Sequence, residues 1–101
     1  MPKIEMQLNH ELNQDEALER IKQFIPQLKT QQADKISDVE ENWSGNKGNF
    51  KFKAMGFKVS GNLTVENNKI DIVGDIPFLA LPFKQQIEET ISKQAKQLLE
   101  K

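Results

Sequence analysis

At the start of the chain apolar and polar residues alternate, with Ile4, Met6 and Leu8 interleaved with Lys3, Glu5 and Gln7. A period of two belongs to a half-buried strand, predicted over residues 3–10 with His10 continuing the inward set. From Asn13 the spacing lengthens: Ala17, Leu18, Ile21, Phe24, Ile25 and Leu28 recur on one helical face, and Asn13 with Glu16 three places on makes an N-terminal capping pattern. Pro26 falls inside this pattern. Its ring clashes with the preceding turn and it donates no hydrogen bond, which predicts a kink or split near Ile25.

Between Ser37 and Ile76 the period returns to two, and the turn residues GNKG, Met55-Gly56 and Asn67-Asn68 divide the stretch into a meander of four strands. Loop length sets hairpin register. Two-residue loops at Asn46-Lys47, Met55-Gly56 and Asn67-Asn68 place Trp43 opposite Phe50, Phe50 opposite Gly61, and Gly61 opposite Gly74 on the apolar face. A neighbouring row reads Glu41, Phe52, Val59, Ile76. The other face sets Glu40 beside Lys53, Thr64 beside Asp71 and Glu66 beside Lys69, as cross-strand partners on a solvated surface. After Ile76 comes the uncharged segment Pro77–Pro82. An amphipathic helix from about Pro82 to Leu99 follows, with Phe83, Ile87, Ile91, Ala95 and Leu98 as its stripe.

This order, β-α-β-β-β-β-α, predicts a single α+β domain over residues 1–101. In it a curved antiparallel sheet packs in two layers on a kinked N-terminal helix and a long C-terminal helix, both on one side. Glycine weakens a strand, so Gly61 facing Gly74 predicts a sheet that bends sharply, with the Phe50 ring over Gly61, or a cupped surface that leaves room for a ligand.

Charged residues make up 29% of the 101 and nearly cancel, 14 basic against 15 acidic, so the long-range field does not steer a polyanion. Lys47, Lys51, Lys53 and Lys58 cluster on one hairpin without exposed aromatic neighbours, which is only weak evidence for a nucleic-acid surface, and no nucleic-acid partner is expected. The chain has no cysteine and only one histidine, His10, which excludes disulfides, a thiolate nucleophile and cysteine-ligated metal. No motif calls for a cofactor. Neither a signal-peptide h-region nor an 18-residue apolar run is present, so no transmembrane segment and a cytoplasmic location are expected.

His10-x-Leu12, the run from Glu16 to Ile21 (EALERI), Trp43-Ser44-Gly45, Gly56 with Gly61 five places on, and the run from Ile76 to Phe83 (IPFLALPF) resemble the bacterial polyhydroxyalkanoic acid system family in order and spacing. The resemblance covers nearly the whole chain. It implies association with storage-polyester granules or their metabolism, and no established catalytic residues. At the level of fold the element order also resembles a reduced helix-grip domain, a curved sheet around a C-terminal helix that often encloses an apolar ligand.

Three functional readings follow. The first is a non-enzymatic, granule-associated binding protein for an apolar surface or small apolar ligand, using Phe78, Leu79 and Leu81 with Trp43, Gly61 and Gly74; the plainer alternative has the loop seal the end of the core and Trp43 pack inside it. The second is a small helix-grip enzyme or acyl-ligand carrier whose pocket joins Glu41, Arg20 and His10, with a rim salt bridge as the plainer alternative and a bulge able to turn Glu41 outward. The third is a protein-interaction module or homodimer that pairs through an edge strand or the apolar loop.

Overall fold

The structure, a computed structural model, describes residues 3–31 and 33–100. Its elements are β1 (Lys3–Asn9), α1 (Gln14–Ile21), α2 (Phe24–Gln31), β2 (Ile36–Ser44), β3 (Lys47–Ala54), β4 (Phe57–Val65), β5 (Lys69–Asp75), a short 3-10 helix (Phe78–Phe83) and α3 (Lys84–Leu99). This is the α+β order read from the sequence, with β1 one residue shorter than expected. The strands form one antiparallel sheet in the order β1-β5-β4-β3-β2, which places β1 beside β5 and leaves β1 and β2 at the two edges.

One face of the sheet is apolar and meets the helices. Ile4 and Leu8 of β1, Phe50 and Phe52 of β3, Val59 and Leu63 of β4, and Ile70 and Ile72 of β5 are buried against Ile21, Phe24, Leu28, Ile87, Ile91 and Ala95. The helix spacing explains which residues these are, because each helix buries one stripe and leaves its remaining face to water. Asn13 caps α1, its side-chain oxygen accepting from the Glu16 N–H at 2.8 Å. Glu16 does not reach back to complete the box; its carboxylate pairs with Arg20 at 2.9 Å. The N-terminal helix breaks at Lys22-Gln23, upstream of the expected point, so that Pro26 falls in the first turn of α2. There the missing donor costs little, since the first four N–H groups of a helix have no internal partner.

The β3–β4 and β4–β5 registers are those predicted, with Phe50 opposite Gly61, Phe52 opposite Val59, Gly61 opposite Gly74, and Thr64 opposite Asp71. The β2–β3 register differs by two residues. Its loop is Gly45-Asn46, which sets Trp43 opposite Gly48 and Glu41 opposite Phe50 in place of the expected Phe50 and Phe52. Gly45 adopts φ +60, and the left-handed conformation it supplies anchors the turn one residue earlier. Nearer its start β2 carries a bulge between Ser37 and Glu40, with Asp38 at φ +52. The extra residue reverses the alternation, so Ile36 is buried on the same side as Trp43. The two-residue shift set by the Gly45-Asn46 loop also places Glu40 opposite Lys51, while Lys53 pairs with Asp38 at 3.2 Å.

At the end of the chain, α3 starts at Lys84 instead of Pro82. Phe83 accordingly drops out of the buried stripe, which consists of Ile87, Ile91, Gln94, Ala95 and Leu99.

Candidate functional site

The segment after β5 is built to present side chains. Pro77 is extended, and the Ala80 N–H donates to its carbonyl at 2.9 Å, starting the 3-10 helix. Ile76 and Ala80 are buried and plug the end of the core. With three residues per turn, the residues between them must point elsewhere. Phe78 and Leu79 are 74% and 78% exposed, and Leu81 and Phe83 are each 39% exposed. The sealing alternative therefore holds for Ala80 and fails for Phe78 and Leu79.

The β3–β4 turn lies at the same end. The rings of Phe57 and Phe83 meet with centroids 5.7 Å apart, and Met55, 38% exposed, occupies the turn at φ +53. Met55 and Phe83 thus join Phe78, Leu79 and Leu81 in one apolar end of the molecule. The spacing places Met55 in a turn and Phe83 on a helix stripe. The available signal was an apolar residue in a two-residue hairpin loop, where Asn, Asp or Gly is usual.

Trp43, Gly61 and Gly74 do not belong to this end. Trp43 lies beside the β2–β3 turn, at the opposite end of the sheet, with its indole flat against Gly48, Lys22 Nζ 5.8 Å from the ring centroid, and its Nε1–H donating to Glu41 at 3.3 Å. The two glycines open no room on the helix side. A Cβ on Gly61 would sit 2.8 Å from Phe50 Cζ and 2.5 Å from the Val73 carbonyl oxygen, so the glycine admits Phe50 and a close β5 backbone. The bend predicted from the facing pair is present as close packing, and no ligand cup accompanies it on that side.

The expected polar cluster does not assemble. His10 follows β1 and Glu41 lies on β2, at opposite edges of the sheet, four strand spacings of about 4.8 Å apart across it, and the row that holds Glu41 meets β1 at Ile4, six residues before His10. His10 instead ties two loops together: its Nδ1 accepts from the Leu12 N–H at 3.0 Å, and its Nε2–H donates to the Glu66 carbonyl at 2.9 Å. Arg20 holds Glu16 and donates to the Glu100 carbonyl, and Glu41 is exposed beside Trp43. Among the described residues Glu41 lines a groove with β3 and β4, His10 lines another beside the end of α3, and Arg20 lines neither. Among the described residues no group of three or more His, Asp or Glu could hold a metal ion, and no helix is long and apolar enough to cross a membrane.

A family model for polyhydroxyalkanoic acid system proteins matches residues 4–99. The chain belongs to the polyhydroxyalkanoic acid system family. The match runs from the first buried residue of β1 to the last buried residue of α3, so it covers the whole folded unit of this family member. No curated protein matches the chain.

Proposed function

We propose that this polyhydroxyalkanoic acid system protein associates with polyester granules by laying its apolar end, Met55, Phe78, Leu79, Leu81 and Phe83, on the granule surface, without catalysing a reaction there. The observation that carries this reading is the outward presentation of Phe78 and Leu79 by a segment whose neighbours Ile76 and Ala80 are anchored in the core. A surface patch of large apolar side chains marks an interaction site. Fully burying one such side chain is worth about 1.5–3 kcal/mol, so covering the exposed fractions of these five is worth about 4–8 kcal/mol before the costs of association. That range suits reversible attachment.

The test is a pelleting assay with amorphous polyhydroxybutyrate granules, run with lipid vesicles as a control. The unmutated protein is expected to sediment with granules and not with vesicles. Leu79→Asp should weaken sedimentation at least about tenfold, since it forfeits more than about 1 kcal/mol of apolar burial and places a charge against the polyester. Its urea midpoint should not move, because Leu79 contributes little to the core. Equal sedimentation of Leu79→Asp and the parent protein would overturn the reading.

A further inference from the structure

Beside the apolar end, α2, α3 and the first residues of β2 leave an apolar crevice of about 50 Å³ against the end of β3. Its interior is formed by the buried side chains of Leu28, Ile36, Phe52, Ala54, Ile87 and Ile91. Lys35, Met55, Gln86 and Thr90 make its mouth. We propose that this crevice is a binding site for a short aliphatic carboxylate, with the alkyl tail inside and the carboxylate at the mouth.

Size sets the tail. One water needs roughly 10–15 Å³ of such space, and a cavity of about 150 Å³ takes a benzene ring. At about 50 Å³ the crevice has room for about three carbons and excludes aromatic rings and long acyl chains. Charge sets the head. Among the described residues, Lys35 is the only ionisable one lining the crevice, and no carboxylate lines it. Among the described residues, the Lys35 ammonium and the Gln86 side-chain amide have no side-chain partner, so both donors are available to an anion. The Thr90 hydroxyl already donates to the Gln86 carbonyl at 3.0 Å, so Lys35 and Gln86 supply the donors.

Met55 supplies the third argument. A non-glycine residue at φ +53 is strained, and a turn position that Asn would occupy at lower cost carries a flexible apolar side chain over the mouth instead. Its unbranched thioether can swing aside to admit a tail and close against it.

The ligand could be a free short-chain acid or the carboxyl end of a polyester chain, and the site itself does not depend on whether the apolar end meets granules. Sodium butanoate is the probe, titrated into the full chain at constant ionic strength and followed by amide chemical shifts. Saturable shifts confined to Ile36, Met55, Thr90 and their neighbours are expected, with butanoate binding about tenfold or more tighter than acetate, since the longer tail buries two additional methylene groups. Lys35→Gln should weaken butanoate about tenfold. Ala54→Leu fills the crevice and should abolish the shifts while its thermal midpoint stays level or rises. Non-saturating shifts, butanoate no tighter than acetate, or unchanged binding by Ala54→Leu would each overturn the site. Once butanoate binding is established, granule pelleting of Ala54→Leu separates the sources. Loss of sedimentation identifies chain ends, and retention identifies free acids.

Discussion

Among the glycines, Gly61 leaves the least space to neighbouring backbone, and Gly61→Ala tests whether that shapes the fold. The new Cβ would lie 2.5 Å from the Val73 carbonyl oxygen, 2.8 Å from Phe50 Cζ and 2.9 Å from Gly74 Cα. Phe50 can rotate away, but the other two atoms belong to the β5 backbone, held by the β4–β5 ladder on one side and by β1 on the other. Restoring ordinary contact at about 3.4 Å requires a shift of nearly 1 Å across that ladder. Overpacking of this kind costs about 1–3 kcal/mol, and a backbone obstacle places it at the upper end. Alanine recovers at most about 1 kcal/mol of chain entropy over glycine in a strand. The net loss is about 2 kcal/mol, equivalent to a fall of about 8–16 °C in the thermal midpoint of a domain this size. Urea denaturation followed by far-ultraviolet circular dichroism measures it. Gly74→Ala is the matched control: its nearest neighbours would be the Ser60 carbonyl oxygen at 3.2 Å and Ile4 Cβ at 3.8 Å, so its cost should stay below about 1 kcal/mol. Phe50→Leu combined with Gly61→Ala should recover only part of the loss, because the Val73 oxygen remains. A Gly61→Ala protein as stable as its parent would refute the close-approach argument.

Three further substitutions probe other parts of the molecule. Gly48→Ala places a Cβ 2.9 Å from the Trp43 indole, which lies at an edge and can tilt outward; a red-shifted tryptophan emission with a stability loss of about 1 kcal/mol or less is expected. Met55→Asn should raise the unfolding free energy measured in urea by about 0.5–1 kcal/mol, because Asn tolerates the left-handed turn position, while reducing granule sedimentation. His10→Ala strands the Leu12 N–H in a buried setting and should cost about 1–3 kcal/mol, measured by chemical denaturation.

Local spacing carried most of the fold. The Met55-Gly56 and Asn67-Asn68 loops allow one placement each, and the strands they join took the expected registers. The GNKG loop has glycine at both ends, so two placements keep the same alternation and the pattern of apolar residues cannot choose between them. The bulge at Asp38 was illegible because it depends on one residue adopting φ +52, a conformation that no neighbouring residue announces. Long-range pairing was also beyond local pattern: β1 lies against β5, and His10 bonds to Glu66, 56 residues away. At the apolar end, Phe78, Leu79 and Leu81 were legible as an uncharged segment between prolines. That Phe78 and Leu79 face water while Ala80 fills the core depends on the 3-10 turn, and spacing alone does not reveal it.

The bulge in β2 also bears on what happens when many copies crowd together, as they would on a granule. Sheets brought side by side tend to zip through their free edges. An edge interrupted by a bulge and an exposed Asp38–Lys53 ion pair makes a poor template, whereas β1 stays regular from Lys3 to Asn9. Growth of a filament needs two sticky edges per molecule, and this sheet has one. Contact through β1 uses that edge up, so any such association ends at a pair.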